Sequence, residues 1–155
     1  DHRGHGEHCA ALGDFGADGW PRVLADTREI IAHCQTLYPN CPLILMGHSM
    51  GAYGTWAWIN QSAERFAAAS PSGIGIGDNG DVEGLVSLPI WGMVGGADKP
   101  DRVAGIKRMV ERLRAAGNKQ VKYTEFPGAN HATANAAVFS SVELVDWMLG
   151  FSKGK

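Results

Sequence analysis

The stretch that decides the fold is Pro42–Gly54, with the sequence PLILMGHSMGAYG. Its four apolar residues from Leu43 to Met46 predict a short buried strand. The next five, Gly47–Gly51, follow the pattern G-x-S-x-G, here called the elbow, in which the backbone doubles back and two glycines give it room. Residues 52–60 then carry apolar side chains at helical spacing. The order of strand, turn and helix favours a functional serine over a glycine-rich turn in which the serine has no function.

Composition and charge are typical of a soluble globular domain and exclude several classes of partner. The 155 residues suit one domain, and the chain is 45% hydrophobic and 19% charged. Its net charge is −2 and its 14 Lys and Arg residues form no block, so neither nucleic acid nor an anionic membrane is an expected partner. No apolar run approaches the roughly 20 residues of a membrane span. The chain begins at Asp1 without methionine, so the absence of a leader says little, and a cytoplasmic location is only slightly favoured.

Helices and strands alternate along the rest of the chain. Residues 1–19 predict a loop-like segment and residues 21–37 an amphipathic helix. We further predict strands at 65–70, 88–94 and 121–126, and helices at 101–116 and 135–150. The last helix is expected to turn Val138, Val142, Val145 and Met148 inward. This alternation predicts a single α/β domain over residues 1–155, a three-layer α/β/α sandwich with a mostly parallel sheet.

Three residues of the types that form a hydrolytic triad directly follow predicted strands. They are Ser49, Asp98 and His131, and we expect them at one edge of the sheet because parallel strands end together. A serine hydroxyl is a poor nucleophile unless a base is adjacent, and an imidazole oriented by a carboxylate supplies that base. The catalytic hypothesis is therefore Ser49 as nucleophile, His131 as base and Asp98 as acid. The backbone N–H of Met50 would be one oxyanion donor.

The residues themselves leave alternatives open. His131 could be a histidine of a surface loop, and Asp98 could cap the next helix while Asp101 serves as the acid. Asp98 is favoured because Asp101 is better explained as the N-cap of the helix at 101–116. His48 is expected to pack within the elbow rather than act as a second base. The candidates for the substrate pocket are His48, Trp91 and Asn130.

The N-terminal segment invites a metal interpretation that its spacing disfavours. Its possible ligands are His2, His5, His8 and Cys9. Zinc sites on short segments usually show C-x-x-C or H-x3-5-H pairs with a second pair elsewhere, and none follows here. We therefore expect no metal and no organic cofactor. A bridge between Cys34 and Cys41 is conceivable, but the odd count of three cysteines favours reduced, structural thiols.

Several segments resemble known hydrolases. The monoacylglycerol lipase and lysophospholipase branch of the α/β-hydrolases is similar at residues 1–6, 12–16, 19–20 and 47–51. Lidless esterases related to polyhydroxybutyrate depolymerase and feruloyl esterase are similar at residues 49–56, 65–69, 88–91, 95–98 and 122–128. Together these resemblances cover nearly the whole chain and imply an α/β-hydrolase fold. They place the nucleophile, acid and base on Ser49, Asp98 and His131.

The chain departs from these families in two respects. Only residues 72–87 are available where the lipase branch carries a long cap, so a helical lid is not expected and an open cleft for small or soluble esters is favoured. The first strands of the family fold, and the His-Gly loop that supplies the second oxyanion donor, are expected to be absent, with residues 5–8 as a stand-in for that loop. A sheet edge left exposed in this way would favour pairing with a second copy of the chain.

The resulting hypothesis is a serine hydrolase that cleaves carboxylic esters of small or soluble compounds through an acyl-enzyme intermediate. Within enzymes, the alternative is a monoacylglycerol-type lipase or a peptidase of the same fold. Outside enzymes, the alternative is an inactive or incomplete hydrolase fold that serves as an interaction module.

Overall fold

The structure, a computed structural model, describes residues 19–78 and 80–151, with the backbone alone for Trp20. The chain divides into two compact units, residues 1–41 and residues 42–155. In the first unit, helix α1 spans Gly19–Leu37 where the amphipathic helix was expected. The loop predicted before it lies almost entirely outside the described residues. The assignment of one domain to the whole chain stays a prediction.

The second unit is built on a parallel sheet. Its strands are β1 (Ile44–His48), β2 (Ala68–Ser72), β3 (Ile90–Gly95) and β4 (Val121–Phe126). Its helices are α2 (Met50–Ser62), α3 (Pro100–Ala115), α4 (His131–Phe139) and α5 (Val142–Leu149). The strands lie in the order β1-β2-β3-β4, and each neighbouring pair is parallel. The strand predicted at 121–126 has the expected bounds, whereas the three before it begin one to three residues later than predicted.

Helices cover both faces of this sheet. On β3, Trp91 and Met93 pack in a core cluster with residues of α4 and α5. Gly92 points to the opposite face, where an added Cβ would come within 3.1–3.3 Å of Ile106 and Val110 of α3. Helix α2 joins β1 to β2 as α3 joins β3 to β4, and right-handed crossovers in one direction put both helices on the same face. The predicted three-layer α/β/α sandwich is therefore confirmed for this unit.

The prediction of one helix over residues 135–150 is wrong. The segment forms two helices, α4 and α5, with Ser141 as the N-cap of the second. The Ser141 Oγ accepts a hydrogen bond from the Leu144 N–H at 3.1 Å, which satisfies one of the unpaired donors of a new helix start. The resulting change of direction leaves Val142 71% and Val145 42% exposed, although both were expected to face inward.

Candidate active site

The backbone of Ser49 is strained. This residue lies between β1 and α2 with φ 57° and ψ −120°. Across the described residues it is the only one other than glycine with a positive φ. A side chain held in so sparsely populated a region typically costs on the order of 1–3 kcal/mol, and strain of this kind concentrates at functional sites. The sharp turn expected at the elbow is therefore present.

The two elbow glycines have different roles, which corrects the expectation that both supply room. A Cβ on Gly47 would overlap the backbone carbonyl of Gly51 and lie 2.7 Å from Thr55 Oγ1. A Cβ on Gly51 would meet no atom within 4 Å. Gly47 is thus the residue that lets β1 approach the first turn of α2. The elbow is also tied to the next strand, because the Ser49 N–H donates to the Ser72 carbonyl at 3.1 Å.

Asp98 and His131 are joined by a direct bond. Asp98 follows β3 and His131 begins α4, so both lie beyond the carboxyl ends of neighbouring parallel strands. His131 Nδ1 is 2.5 Å from Asp98 Oδ2. The second carboxylate oxygen, Oδ1, accepts from the Lys99 N–H at 2.7 Å and from Arg102 Nη1 at 3.1 Å. The Asp98 side chain is only 2% exposed, so this network holds a nearly buried carboxylate in one orientation.

The network also determines the charge state of Asp98. Burial alone would raise the pKa of this carboxyl group. Hydrogen bonds from His131, from the Lys99 N–H and from Arg102 outweigh burial and hold the pKa of Asp98 below its ordinary value of 3.8. Asp98 is therefore an anion at neutral pH, as a residue that orients an imidazole must be.

Asp101 has a different position from the one expected. Helix α3 begins at Pro100, its N-cap is Lys99, and no side chain caps it. Asp101 lies in the first turn, where its negative charge interacts favourably with the positive end of the helix dipole. The prediction that Asp101 is the N-cap is therefore wrong.

The third member of the predicted triad is not hydrogen-bonded to the other two. His131 Nε2 is buried and has no hydrogen-bond partner in the described part of the chain, so it forms no hydrogen bond with Ser49. The residue before Ser49 nevertheless contacts the imidazole. The ring centroids of His48 and His131 are 4.5 Å apart, and His48 Nε2 is 3.1 Å from the His131 carbonyl oxygen. The structure thus brings Asp98 and His131 together directly and places the elbow residue His48 against His131.

A cavity of about 370 Å³ opens beside Ser49. Its lining residues are Ser49, Met50, Tyr53, Ile74, Gly75, Lys99, Asp101 and Arg102. The apolar part comes from the start of α2, where Met50 and Tyr53 are each about half exposed. The charged part comes from the start of α3, which also carries the residues bonded to Asp98. The cavity therefore lies next to both Ser49 and the Asp98 network.

Two of the residues proposed for the substrate pocket do other work. Trp91 is 3% exposed in the core, and its indole N–H donates to Thr124 Oγ1 at 2.9 Å. Asn130 is the N-cap of α4, because its side chain accepts the Thr133 N–H at 3.0 Å while Thr133 Oγ1 accepts the Asn130 N–H. Neither of them, nor His48, lines the cavity beside Ser49. Their assignment to a substrate pocket stays a prediction without a structural observation in its favour.

The Met50 N–H, the expected oxyanion donor, lies at the N-terminus of α2. Met50 is the first residue of α2, so its N–H is outside the helical i to i−4 hydrogen bonds. The N-terminus of a helix also favours negative charge. The stand-in for the second donor, residues 5–8, lies outside the described residues.

The residues that the structure describes contain no group of three or more His, Cys, Asp or Glu side chains able to hold a metal ion. The candidate ligands His2, His5, His8 and Cys9 lie outside them. Cys34 and Cys41 are free thiols. No helix in the described ranges is both long and apolar enough to cross a bilayer.

Sequence reasoning missed Arg102 and Gly73. Arg102 lies four residues after Asp98, a spacing that could have indicated the ion pair at the start of α3. Gly73 has φ 79° and lies against the His48 ring. No sequence signal distinguishes it among 21 glycines.

Comparisons with known proteins support the α/β/α fold described above. A protein-family model described as serine aminopeptidase, S33, matches residues 1–74. Curated proteins give no match to the sequence. Among solved structures, a thermostable esterase has a TM-score of 0.74 and 28% identity, and the match covers 84% of this chain and 37% of that one.

Two more distant structures share the architecture. A protein of unknown function from Agrobacterium tumefaciens, named as a candidate α/β hydrolase, has a TM-score of 0.66 and 19% identity over 97% of this chain and 68% of its own. A mutant of the feruloyl esterase module from Clostridium thermocellum, complexed with sinapinate, has a TM-score of 0.56 and 14% identity over 72% of this chain and 47% of its own.

The fold is that of an α/β hydrolase, as shown by the parallel sheet with its flanking helices, by the strained serine turn and by these similarities. The resemblance to α/β-hydrolase esterases expected from the sequence motifs is confirmed. The chain spans 37% of the thermostable esterase and 47% of the feruloyl esterase module.

Proposed function

We propose that this protein is a serine hydrolase that cleaves carboxylic esters of small or soluble compounds. The observation that carries the proposal is the strained backbone of Ser49 at the end of β1, directly after His48, whose ring contacts the imidazole of the bonded Asp98–His131 pair. Strain of this kind persists only where the surrounding structure imposes it, and it exposes the hydroxyl at the edge of the sheet. The esterases among the similar structures add support at the level of the fold.

In the proposed reaction, Ser49 Oγ attacks the acyl carbonyl carbon while its proton passes to His131 Nε2. The bond to the alcohol oxygen then breaks, and the alcohol leaves with that proton. Water repeats the sequence on the acyl-serine, releases the carboxylic acid and restores the hydroxyl. The absence of a Ser49–His131 bond in the free protein is compatible with this role, because such bonds often tighten only when substrate binds.

Two further groups support the transition state. Asp98 holds Nδ1 of His131 and stabilises the imidazolium that forms. The Met50 N–H is offered to the oxyanion, and a donor of this kind typically contributes a factor of about 100–1,000 in rate.

The cavity indicates the kind of ester. Its volume of about 370 Å³ is near the lower end for small-molecule sites. Its lining combines the apolar side chains of Met50, Tyr53 and Ile74 with three charged side chains at the start of α3. We expect short acyl groups with a polar or charged neighbour to fit better than long alkyl chains.

Hydrolysis of p-nitrophenyl butyrate tests the proposal. Ser49→Ala is expected to lower kcat/KM by at least about 1,000-fold with an unchanged circular dichroism spectrum. Ser87→Ala is the matched control, since Ser87 is exposed and has ordinary backbone geometry, and it is expected to retain full activity. Full activity in Ser49→Ala would refute the role of Ser49. A folded wild-type protein without any esterase or amidase activity would favour the interaction module.

One observation favours a second candidate, a peptidase that removes N-terminal amino acids. The family model that matches residues 1–74 is described as serine aminopeptidase. Alanine p-nitroanilide and p-nitrophenyl esters of two to twelve carbons, assayed side by side, separate the candidates. Preference for the anilide would favour the peptidase, and preference for the longest esters would favour the lipase.

A further inference from the structure

His48 is the elbow residue whose ring lies against the imidazole of His131. Its ring faces the His131 ring at a centroid distance of 4.5 Å and a tilt of 42°. On another side the ring contacts Gly73, where a Cβ would lie 2.7 Å from Cε1 and 3.1 Å from both nitrogens. The ring is therefore held on two sides by residues that follow β2 and β4. Its one hydrogen bond within the described part of the chain joins Nε2 to the His131 carbonyl oxygen at 3.1 Å.

We propose that His48 is a positioning residue for the reaction, which fixes the His131 backbone and ring through a hydrogen bond from its own Nε2–H. This inference rests on the proposed function, because it assigns His131 as the base. It goes beyond that function by giving the histidine of the elbow a task that is separate from packing.

The surroundings of His48 assign its tautomer. A carbonyl oxygen only accepts, so the ring must carry a proton on Nε2 to bond with His131. Nδ1 is buried and has no partner among the described residues. In the neutral Nε2–H tautomer, Nδ1 carries a lone pair and no proton. Protonation of Nδ1 would create a buried N–H without an acceptor among the described residues. The neutral form is therefore the one that the site accommodates.

The charges near His48 lead to the same state. Burial is the main cause that lowers its pKa, followed by the His131 ring against it and, more weakly, by Arg102. The hydrogen bond to the His131 carbonyl and the Asp98 carboxylate act in the opposite direction but do not prevail. A neutral His48 matters for catalysis because His131 becomes a cation during the reaction. A second cation 4.5 Å away would oppose that step.

The test is a pair of amide variants whose side chains differ by one methylene group in length. His48→Gln places an amide N–H near the position of Nε2 and does not titrate, while His48→Asn places it near the buried Nδ1 and cannot reach the His131 carbonyl. We expect His48→Asn to lower kcat about 10-fold with little change in KM, the size of one lost hydrogen bond, and His48→Gln to restore most of it. A purely structural role predicts equal loss in both variants.

Two measurements complete the test. Nitrogen NMR of labelled histidine should show wild-type His48 as the Nε2–H tautomer at pH 7, and His131 resonances that shift in His48→Asn and return in His48→Gln. Equal kcat in wild type and His48→Asn, or an Nδ1–H tautomer, would overturn the positioning role. Absence of hydrolysis in the wild type would instead count against the proposed function. In that case, His131 resonances unchanged in His48→Asn would also overturn the positioning role.

Discussion

Replacing Ser49 by glycine should stabilise the protein while abolishing its activity. Ser49 holds φ 57° and ψ −120°, which costs on the order of 1–3 kcal/mol for a residue with a side chain. Glycine adopts this conformation without that penalty but loses roughly 0.5–1 kcal/mol through the greater freedom of the unfolded chain. The Ser49 side chain makes no capping hydrogen bond that would be lost. The net expectation is a gain of about 1 kcal/mol, or a Tm increase of roughly 2–4 °C.

The assay is thermal and urea unfolding of three variants followed by circular dichroism. Ser49→Ala removes the hydroxyl but keeps the strained backbone, so it should gain less than Ser49→Gly. Ser87→Gly is the matched control at an exposed turn with an ordinary φ, and it should lose about 0.5–1 kcal/mol. Destabilisation of Ser49→Gly as large as that of Ser87→Gly would show that the backbone of Ser49 carries no strain and would refute this prediction.

Three further predictions concern the elbow glycines, the Asp98 carboxylate and the N-cap of α4. Gly47→Ala should destabilise the fold by more than about 2 kcal/mol because its Cβ would overlap the Gly51 carbonyl, whereas Gly51→Ala should be neutral or stabilising by up to about 1 kcal/mol. Equal changes in the free energy of unfolding, measured with urea, would contradict this difference. Asp98→Asn should lose stability at pH 7, and its deficit relative to wild type should shrink as pH falls through the lowered pKa of Asp98, below 3.8; a deficit independent of pH would contradict the linkage. Asn130→Ala should lower Tm by roughly 2–4 °C, about 1 kcal/mol for a lost N-cap, and an unchanged Tm in scanning calorimetry would argue against the capping box.

The sequence predicted the elbow and, to within two residues, the end of each strand, because these depend on local patterns. The apolar run before Gly47 is short and lies between Pro42 and a glycine, which favours a strand, and the alternation at residues 121–126 has the period of a strand. Parallel pairing then places Asp98 and His131 at neighbouring strand ends, where the structure joins them by a hydrogen bond.

Other features could not be predicted because two local patterns compete or because the contacts are distant in the sequence. The break at Ser141 is a competition between one long helix and a serine cap, and the apolar periodicity of residues 135–150 does not decide it. The contact of His48 with Gly73 and His131 requires three separate segments to meet. The start of α3 at Pro100 rather than Asp101 is a local ambiguity between two good N-terminal residues.

The central claim is that Ser49 is a nucleophile activated by His131. It is tested most directly by incubating the protein with a fluorophosphonate probe and locating the adduct by peptide mass spectrometry. We expect one adduct, on Ser49, with labelling absent in Ser49→Ala and strongly slowed in His131→Asn. An adduct on another serine, or labelling that His131→Asn leaves at the wild-type rate, would contradict the claim.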